Sequence, residues 1–429
     1  MEQLRETPIE IGGREFREIG YQLVDSIAGF LDSIRERAVT PAERPEVLQD
    51  ILGDRPMPEK GSPAHDLVTR AADLVINHSL LNGHPKFMGY VTSSASPIGA
   101  LADLLASSVN PNVGANKLSP IATEIEKQTI RWLSELIGLP AGYGGILVSG
   151  GNMANFTGFL AARNFKTEGS VKKDGLNKSP GELLIYCSTA THTWIEKAAT
   201  LFGHGTGSIR WIPTLDGNTM DNKALKHAIE DDLGQGYMPF LVVGTAGDVS
   251  TGAVDKFDQI GAICKYYGLW FHIDGAYGIP AAILPEFKAL FAGIEMADSI
   301  ALDPHKWLYS PLEVGCTLVK DPKHLVDTYS SHPVYYNFSS GGEGQELNYY
   351  EYGLQNSRGF RALKVWLTLQ HAGKTGFTTM IAEDIRLSRL LFDLADKHPD
   401  LEAVTHSLSI ATFRFVPPGY TLNTEFLNE

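Results

Sequence analysis

Between residues 100 and 320 the chain alternates two arrangements of apolar and polar positions. Short, near-continuous apolar runs read as strands buried on both faces: Ile146-Leu147-Val148, Leu183-Leu184-Ile185-Tyr186, Ile209-Arg210-Trp211-Ile212, Phe240-Leu241-Val242-Val243 and 269–273. Segments with helical spacing separate them, over 120–137, 152–164, 193–202, 222–232 and 256–267. Strand and helix in regular succession predict a mostly parallel sheet covered by helices on both sides. Strands 299–302 and 314–319 close the region, and the second, preceded by no helix, is expected to be antiparallel.

Upstream, Phe16, Ile19, Leu23, Val24, Ile27, Phe30, Leu31 and Ile34 recur at helical spacing over 14–37, and a proline-rich, loosely patterned stretch follows over 41–63. That helix packs either on its own subunit or as an arm over a partner, since the loop after it is long for a compact monomer. Downstream, helices over 361–371 and 381–397 begin a smaller domain. The chain has no internal repeat or low-complexity tract.

A chain of 429 residues can bury a large core and accommodate two or three domains. Its formal charge of −14 comes from 36 basic and 50 acidic residues, scattered and without a basic stripe. Nucleic acid and anionic membrane surfaces are therefore not expected as partners. The longest apolar stretches, such as Ile279-Pro280-Ala281-Ala282-Ile283-Leu284, fall far short of a bilayer span. Charged residues at the start (Glu2, Arg5, Glu6) leave no apolar signal core. Cys187, Cys264 and Cys316 stand singly in apolar surroundings, without metal-ligand spacing. They read as reduced core thiols of a cytoplasmic protein, and no metal site is expected.

Two residues carry the strongest chemical signal. Lys306 lies in Asp303-Pro304-His305-Lys306-Trp307, and Asp274 in His272-Ile273-Asp274-Gly275-Ala276-Tyr277-Gly278. Each follows a strand-like run, which puts an amine and a carboxylate at the carboxyl ends of two strands, where open α/β sheets build their sites. A lysine able to form an imine, with an acid able to keep a ring nitrogen protonated, is what pyridoxal phosphate requires. Singly, the aspartate reads as a cap or turn residue and the lysine as a solvated surface residue.

The pairing outweighs those readings because a third element stands upstream. Ser149-Gly150-Gly151-Asn152 follows a strand and opens an apolar-patterned helix, so backbone N–H groups can cradle a phosphate. His192, just after another strand, reads singly as a cap; in a site for a pyridine ring it can stack on the ring. Ala276 is small enough to lie flat under such a ring, and His305 can reach the phosphate.

Taken together, Ser149-Gly150-Gly151-Asn152-Met153-Ala154-Asn155, His192, His272-Ile273-Asp274-Gly275-Ala276-Tyr277 and Asp303-Pro304-His305-Lys306-Trp307 resemble the group II pyridoxal-phosphate-dependent amino acid decarboxylases. Within that group the likeness is nearest to the aromatic-L-amino-acid decarboxylases. It runs from His84-Pro85-Lys86-Phe87 to Lys364-Val365-Trp366 and includes Ser119-Pro120 and Thr123-Glu124-Ile125-Glu126. The resemblance implies an α/β fold of the aspartate-aminotransferase type (type I) with a mostly parallel seven-stranded sheet. It implies an N-terminal helical dimerisation arm over 1–85, a large cofactor-binding domain over 86–370 and a small α+β domain over 371–429. An obligate homodimer sharing its active site between subunits is implied as well.

For the site, the resemblance implies Lys306 as the imine lysine, Asp274 as partner of the pyridine nitrogen and His192 as ring stacker. Gly150, Gly151 and Asn152 would hold the phosphate. Tyr90 matches a substrate-wall tyrosine, beside Val91 where aromatic-specific members tend to carry another aromatic. Tyr335, in the stretch 328–336, matches a mobile-loop tyrosine that protonates the substrate carbon after CO2 leaves; aldehyde-making relatives carry phenylalanine there. The run Ser339-Ser340-Gly341-Gly342-Glu343-Gly344 fits a lid.

Two further departures stand out. Asp248-Val249 replaces a pair of threonines, removing a hydroxyl usually near the cofactor. The end of the chain, 423–429, reads as a capped helix cut after its first turn where family members continue. The function implied is decarboxylation of an L-amino acid, aromatic favoured, to the amine and CO2. The alternatives are other pyridoxal-phosphate chemistry on this fold, aldehyde synthesis or carbon–carbon cleavage, and an inactive cofactor-binding homologue with a regulatory role.

Overall fold

The computed structural model describes residues 7–179, 181–331 and 347–417. The chain divides into two units, Met1–Ser94 and Ala95–Glu429. The first is helical. Helix α1 (Gly13–Ser33) ends in a short 3-10 turn, Ile34–Glu36, and covers most of the expected span. Of its apolar stripe only Ile19 is buried; Phe16, Val24, Ile27 and Leu31 are all at least 40 % exposed. The stretch read as loosely patterned contains α2 (Pro45–Leu52), whose proline opens the helix where a missing N–H costs nothing. Helix α3 (Ala64–His78) lies beside α1, with Gln22 Nε2 donating to Thr69 Oγ1 at 2.8 Å.

In the second unit α4 (Pro97–Val109) and α5 (Pro120–Leu136) precede β1 (Gly144–Val148). Strand and helix then alternate as the pattern predicts. Helices α6 (Gly151–Lys166) and α7 (Ser170–Asp174) lead to β2 (Leu183–Ser188), and α8 (Trp194–Leu201) leads to β3 (Ile209–Ile212). Helix α9 (Asn222–Gly234) leads to β4 (Met238–Thr245), and α10 (Phe257–Tyr267) to β5 (Trp270–Asp274). Strands β6 (Ser299–Leu302) and β7 (Gly315–Val319) follow.

The seven strands form one sheet in the order β1-β7-β6-β5-β4-β2-β3. Strand β7 runs antiparallel to both neighbours and every other pairing is parallel. The apolar runs are continuous because β2, β5, β6 and β7 are buried along their whole length, with helices on both faces. Helix α6 lies across β1, β4, β5, β6 and β7, and its Phe159 joins Trp194, Phe240 and Trp270 in the core. This topology lines the carboxyl ends of six strands and the amino end of β7 along one edge.

After α11 (Lys323–Tyr329) and the segment 332–346, which lies outside the described residues, the chain enters α12 (Ala362–Asp396). Two separate helices were expected here. The structure carries them end to end, joined at Gly373, whose φ of 63° and ψ of 173° are not helical, and the second begins directly after that kink rather than at 381. Phe377 and Ile381, four residues apart and both buried, make 374–380 helical where sparse apolar residues had suggested a gap. Strands β8 (Leu401–Ser407) and β9 (Ile410–Phe415) form an antiparallel hairpin packed on α12. The expected cut helix at 423–429 lies outside the described residues.

One buried ion pair fixes β1 to its surroundings. Arg358 Nη2 lies 2.5 Å from Glu126 Oε1 on α5, donates to Leu147 O at 2.6 Å, and Nη1 donates to Val113 O at 2.8 Å. Leu147 N donates to the same Glu126 oxygen at 3.0 Å, and the Tyr349 ring lies 4.8 Å from the guanidinium carbon. Removing one partner strands the other charge in the interior, which costs about 3–5 kcal/mol. Arg358→Met is expected to lower the denaturation midpoint accordingly, with Glu126→Leu added in the same chain recovering much of the loss. A single variant as stable as the parent would show that Glu126 finds another partner.

Cys187, Cys264 and Cys316 are free and buried, and burial pushes each thiol up. Among the described residues no helix is long and apolar enough to cross a membrane.

Candidate active site

Asp274 ends β5 at the shared edge, buried, in register with Thr245 on β4 and Ala301 on β6. Its Oδ2 accepts from Trp194 Nε1 at 2.7 Å and its Oδ1 from Ala276 N at 3.2 Å. Trp194 opens α8, and its backbone N–H donates to Nδ1 of the exposed His192 at 3.3 Å. One indole residue thus links the imidazole and the carboxylate.

Beneath Asp274, two residues back on the same strand face, His272 is fully buried. Its Nε2 lies 2.8 Å from Asn155 Oδ1 and its Nδ1 2.7 Å from Ser299 Oγ, which also accepts from Trp270 Nε1 at 2.8 Å. An amide oxygen only accepts, so Nε2 carries the proton and Nδ1 accepts from the Ser299 hydroxyl. Burial pulls the imidazole pKa down to about 4, which keeps it neutral in this chain of bonds. The chain ties α6 to β5 and β6. Gly158 permits the approach, for a Cβ there would lie 2.8 Å from His272 Cε1.

Lys306 follows β6 in a turn closed by Lys306 N donating to Asp303 O at 2.9 Å. Its amine Nζ lies 3.2 Å from Asp303 Oδ2, with a quarter of the side chain exposed. His305 Nδ1 donates to Val314 O at 2.6 Å, leaving Nε2 3.8 Å from the same Asp303 oxygen. Burial pushes the Asp303 carboxyl up, and Lys306 and His305 oppose that shift. Asp303 N also donates to Ala276 O at 3.2 Å, so the loops of Lys306 and Asp274 meet through their main chains.

The glycine loop packs directly on this turn. Gly150 has φ +84°, a conformation that disfavours any side chain, and a Cβ on Gly151 would sit 2.5 Å from Asp303 Oδ2. Helix α6 begins at Gly151 without a side-chain cap among the described residues. Its first N–H groups therefore have no intrahelical acceptors and suit an anion. Two buried oxygens nearby, Thr245 Oγ1 and Asp303 Oδ1, have no hydrogen-bond partner among the described residues.

The structure thus brings Gly150, Gly151, Asn152, Asp274, Ala276, His305 and Lys306 to one edge, with His192 joined through Trp194. Tyr90 and Val91 belong to the Met1–Ser94 unit, where Tyr90 is 88 % exposed and lies beside Phe87. Tyr335 and the run 339–344 lie outside the described residues.

The Asp248-Val249 departure has a local explanation. Asp248 is buried and its carboxylate accepts from Ser250 N, Thr251 N, the Thr251 hydroxyl and Ala253 N, folding a tight loop. Val249 is 56 % exposed on that loop. Sequence reasoning passed over Trp194, Asp303 and Thr245. The signals were present: Asp303 shares the Lys306 motif, Trp194 stands two residues after His192, and Thr245 ends a strand at the edge.

These residues fit pyridoxal phosphate. A buried carboxylate can meet a ring N–H, an uncapped helix N-terminus can take a phosphate, an amine is at hand, and two buried oxygens await partners. Residues 45–415 match the family model described as "Pyridoxal-dependent decarboxylase conserved domain". An aromatic-L-amino-acid decarboxylase of Bacillus atrophaeus is 34 % identical over 422 residues, covering 98 % of this chain and 86 % of that protein. A histidine decarboxylase of Drosophila melanogaster is 32 % identical over 415 residues, covering 94 % of this chain and 48 % of that one. Among solved structures, Oryza sativa TDC with PLP and tryptamine matches with a TM-score of 0.88 at 26 % identity, over 96 % of this chain and 85 % of that chain. Rhodiola rosea 4-hydroxyphenylacetaldehyde synthase matches with a TM-score of 0.86 at 26 % identity, over 98 % and 88 % of the two chains. With its fold, its site and its relatives in agreement, this chain belongs to the pyridoxal-dependent decarboxylases, enzymes that take pyridoxal phosphate as cofactor.

Proposed function

We propose that this enzyme decarboxylates an aromatic L-amino acid to its amine, with Lys306 and Asp274 as the principal site residues. The observation that carries this reading is the convergence of Lys306, buried Asp274 and the Gly150-Gly151 loop on one sheet edge. When bound, pyridoxal phosphate supplies a carbon that takes the substrate amine and a ring that accepts the electron pair left as CO2 departs. Lys306 provides the amine that holds the cofactor, and Asp303, 3.2 Å away, gives that amine a place when released. Asp274, fixed by Trp194, keeps the proton on the ring nitrogen. Amides of Gly151 and Asn152, with His305, would hold the phosphate, Gly150 shaping the turn with its own N–H bonded to Val148 O at 3.0 Å, and Ala276 and His192 would contact the ring.

Tyr335 would return a proton to the substrate carbon, and Tyr90 with Val91 would line the side-chain pocket. The aromatic assignment is supported by relatives named as aromatic-L-amino-acid, tyrosine and tryptophan decarboxylases. Relatives named as phenylacetaldehyde and 4-hydroxyphenylacetaldehyde synthases favour a second reading, aldehyde formation. Assaying a panel of L-amino acids for CO2 and amine, with the parent and Tyr335→Phe, separates the two. Amine from an aromatic substrate is expected from the parent, with aldehyde rising in the variant. Aldehyde as the main product of the parent would sink the decarboxylase reading, and CO2 release confined to non-aromatic substrates would sink the aromatic one.

A cytoplasmic homodimer completes the proposal, with an arm over 1–85, a large domain over 86–370 and a small domain over 371–429. Its support is apolar surface left open: Phe16, Tyr21 and Leu31 in the first unit, Leu101, Leu104, Leu105 and Val109 in the second. Light scattering at assay concentration is expected to give twice the chain mass of 46.8 kDa. A fully active monomer contradicts it.

A further inference from the structure

Asp384 lies on the second half of α12, beyond the Gly373 break and remote in sequence from either loop of the site. One of its oxygens, Oδ2, accepts two hydrogen bonds: from Trp307 Nε1 at 2.8 Å and from the Tyr309 hydroxyl. The donors stand one and three residues after Lys306. Tyr309 has a left-handed backbone, φ 55°, which is disfavoured for a residue with a Cβ. Such a conformation persists only where its surroundings over-determine it. Here Tyr309 N donates to Lys306 O at 3.2 Å, Ser96 N donates to Tyr309 O at 2.8 Å, and Asp384 fixes the side chain.

The same turn is held from a second side. The buried Trp307 ring stacks on Tyr277, with centroids 5.0 Å apart and planes 17° from parallel. Tyr277 follows Asp274 by three residues, bonds the Ser409 hydroxyl and accepts from Ser409 N at 3.1 Å, between β8 and β9. The C-terminal elements therefore grip the loops of Asp274 and Lys306 across one ring stack. A staple serving stability alone would have no need of strained backbone three residues from the lysine.

We propose that Asp384 is a positioning residue: by accepting both bonds it holds the 306–309 turn in its strained form and so sets where the Lys306 amine points. The effect on turnover rests on Lys306 being the cofactor-binding lysine; the effect on the turn does not. Three variants test it: Asp384→Ala, Asp384→Asn and Tyr309→Phe. In cofactor-free protein, amide exchange at Lys306, Tyr309 and Ser310 is expected to accelerate on the order of tenfold in Asp384→Ala, with distant peptides unchanged.

In holoenzyme, the cofactor absorbance should shift with pH differently from the parent, and kcat per bound cofactor should fall about tenfold with KM within about threefold. Asp384→Asn keeps an oxygen able to accept both bonds and should restore most of each effect. Tyr309→Phe, which deletes one bond without disturbing the helix, should give an intermediate result. Unchanged exchange in the turn overturns the proposal. So does a variant that only melts earlier while spectrum and kcat per bound cofactor stay those of the parent, or an Asp384→Asn as impaired as Asp384→Ala. Borohydride reduction and peptide mapping run alongside: a cofactor found on another lysine sinks the Lys306 reading, while the exchange data still decide what Asp384 does.

Discussion

Lys306→Ala is expected to reduce decarboxylation on the order of 10^4-fold or more, the scale seen when a covalent catalytic group is deleted. The amine stands on the turn after β6 and is placed by Asp303 at 3.2 Å. A second effect follows from the same contact. Without the ammonium, the opposition to the burial-driven rise of the Asp303 carboxyl loses its first member, so that carboxyl is pushed further up and binds a proton more readily. The variant should lose its yellow colour on dialysis, while the parent keeps it. Substantial turnover by the dialysed variant, or a borohydride-reduced bond mapped to a different lysine, would remove Lys306 from the centre of the site.

Asp274→Asn should bind cofactor yet turn over on the order of 10^2–10^3-fold more slowly, the range for losing one preorganised electrostatic partner. The substitution preserves shape and one oxygen for Trp194 Nε1, now 2.7 Å from Oδ2, so the fold is little disturbed. What disappears is the negative charge that favours a proton on the ring nitrogen, and with it the ring's capacity to take electrons. The loss should appear in kcat rather than in KM, because the charge acts on the reacting state more than on the bound one. Near-normal kcat in this variant would mean that the carboxylate faces something other than the ring nitrogen.

Much of this architecture was legible in the chain because its strands are buried on both faces, which makes their apolar runs continuous, as at 183–186 and 299–302. The antiparallel β7 was legible from the missing helix before it. Boundaries moved by a residue or two where turns, not apolar residues, end an element. Helix α2 was missed because the proline-rich stretch 41–63 repeats its apolar positions only loosely, although Pro45 sits in the first turn where it is tolerated. The early start of the second half of α12, directly after Gly373, was missed because two buried residues, Phe377 and Ile381, make too short a pattern to recognise.

By itself, the sequence determined the order of elements, the glycine loop before α6, and the placing of Asp274 and Lys306 after strands. These depend on local spacing, which a chain carries in its own periodicity. Only the tertiary structure decided which residues hold the two in place. Trp194 meets Asp274 and Asp384 meets Trp307 and Tyr309 across separations of 75 to 80 residues. Asp248 turned out to fold its own loop. Such partners are chosen by where helices come to rest on the sheet, through hydrogen bonds between groups with no common pattern along the chain, and no local rule of spacing encodes them.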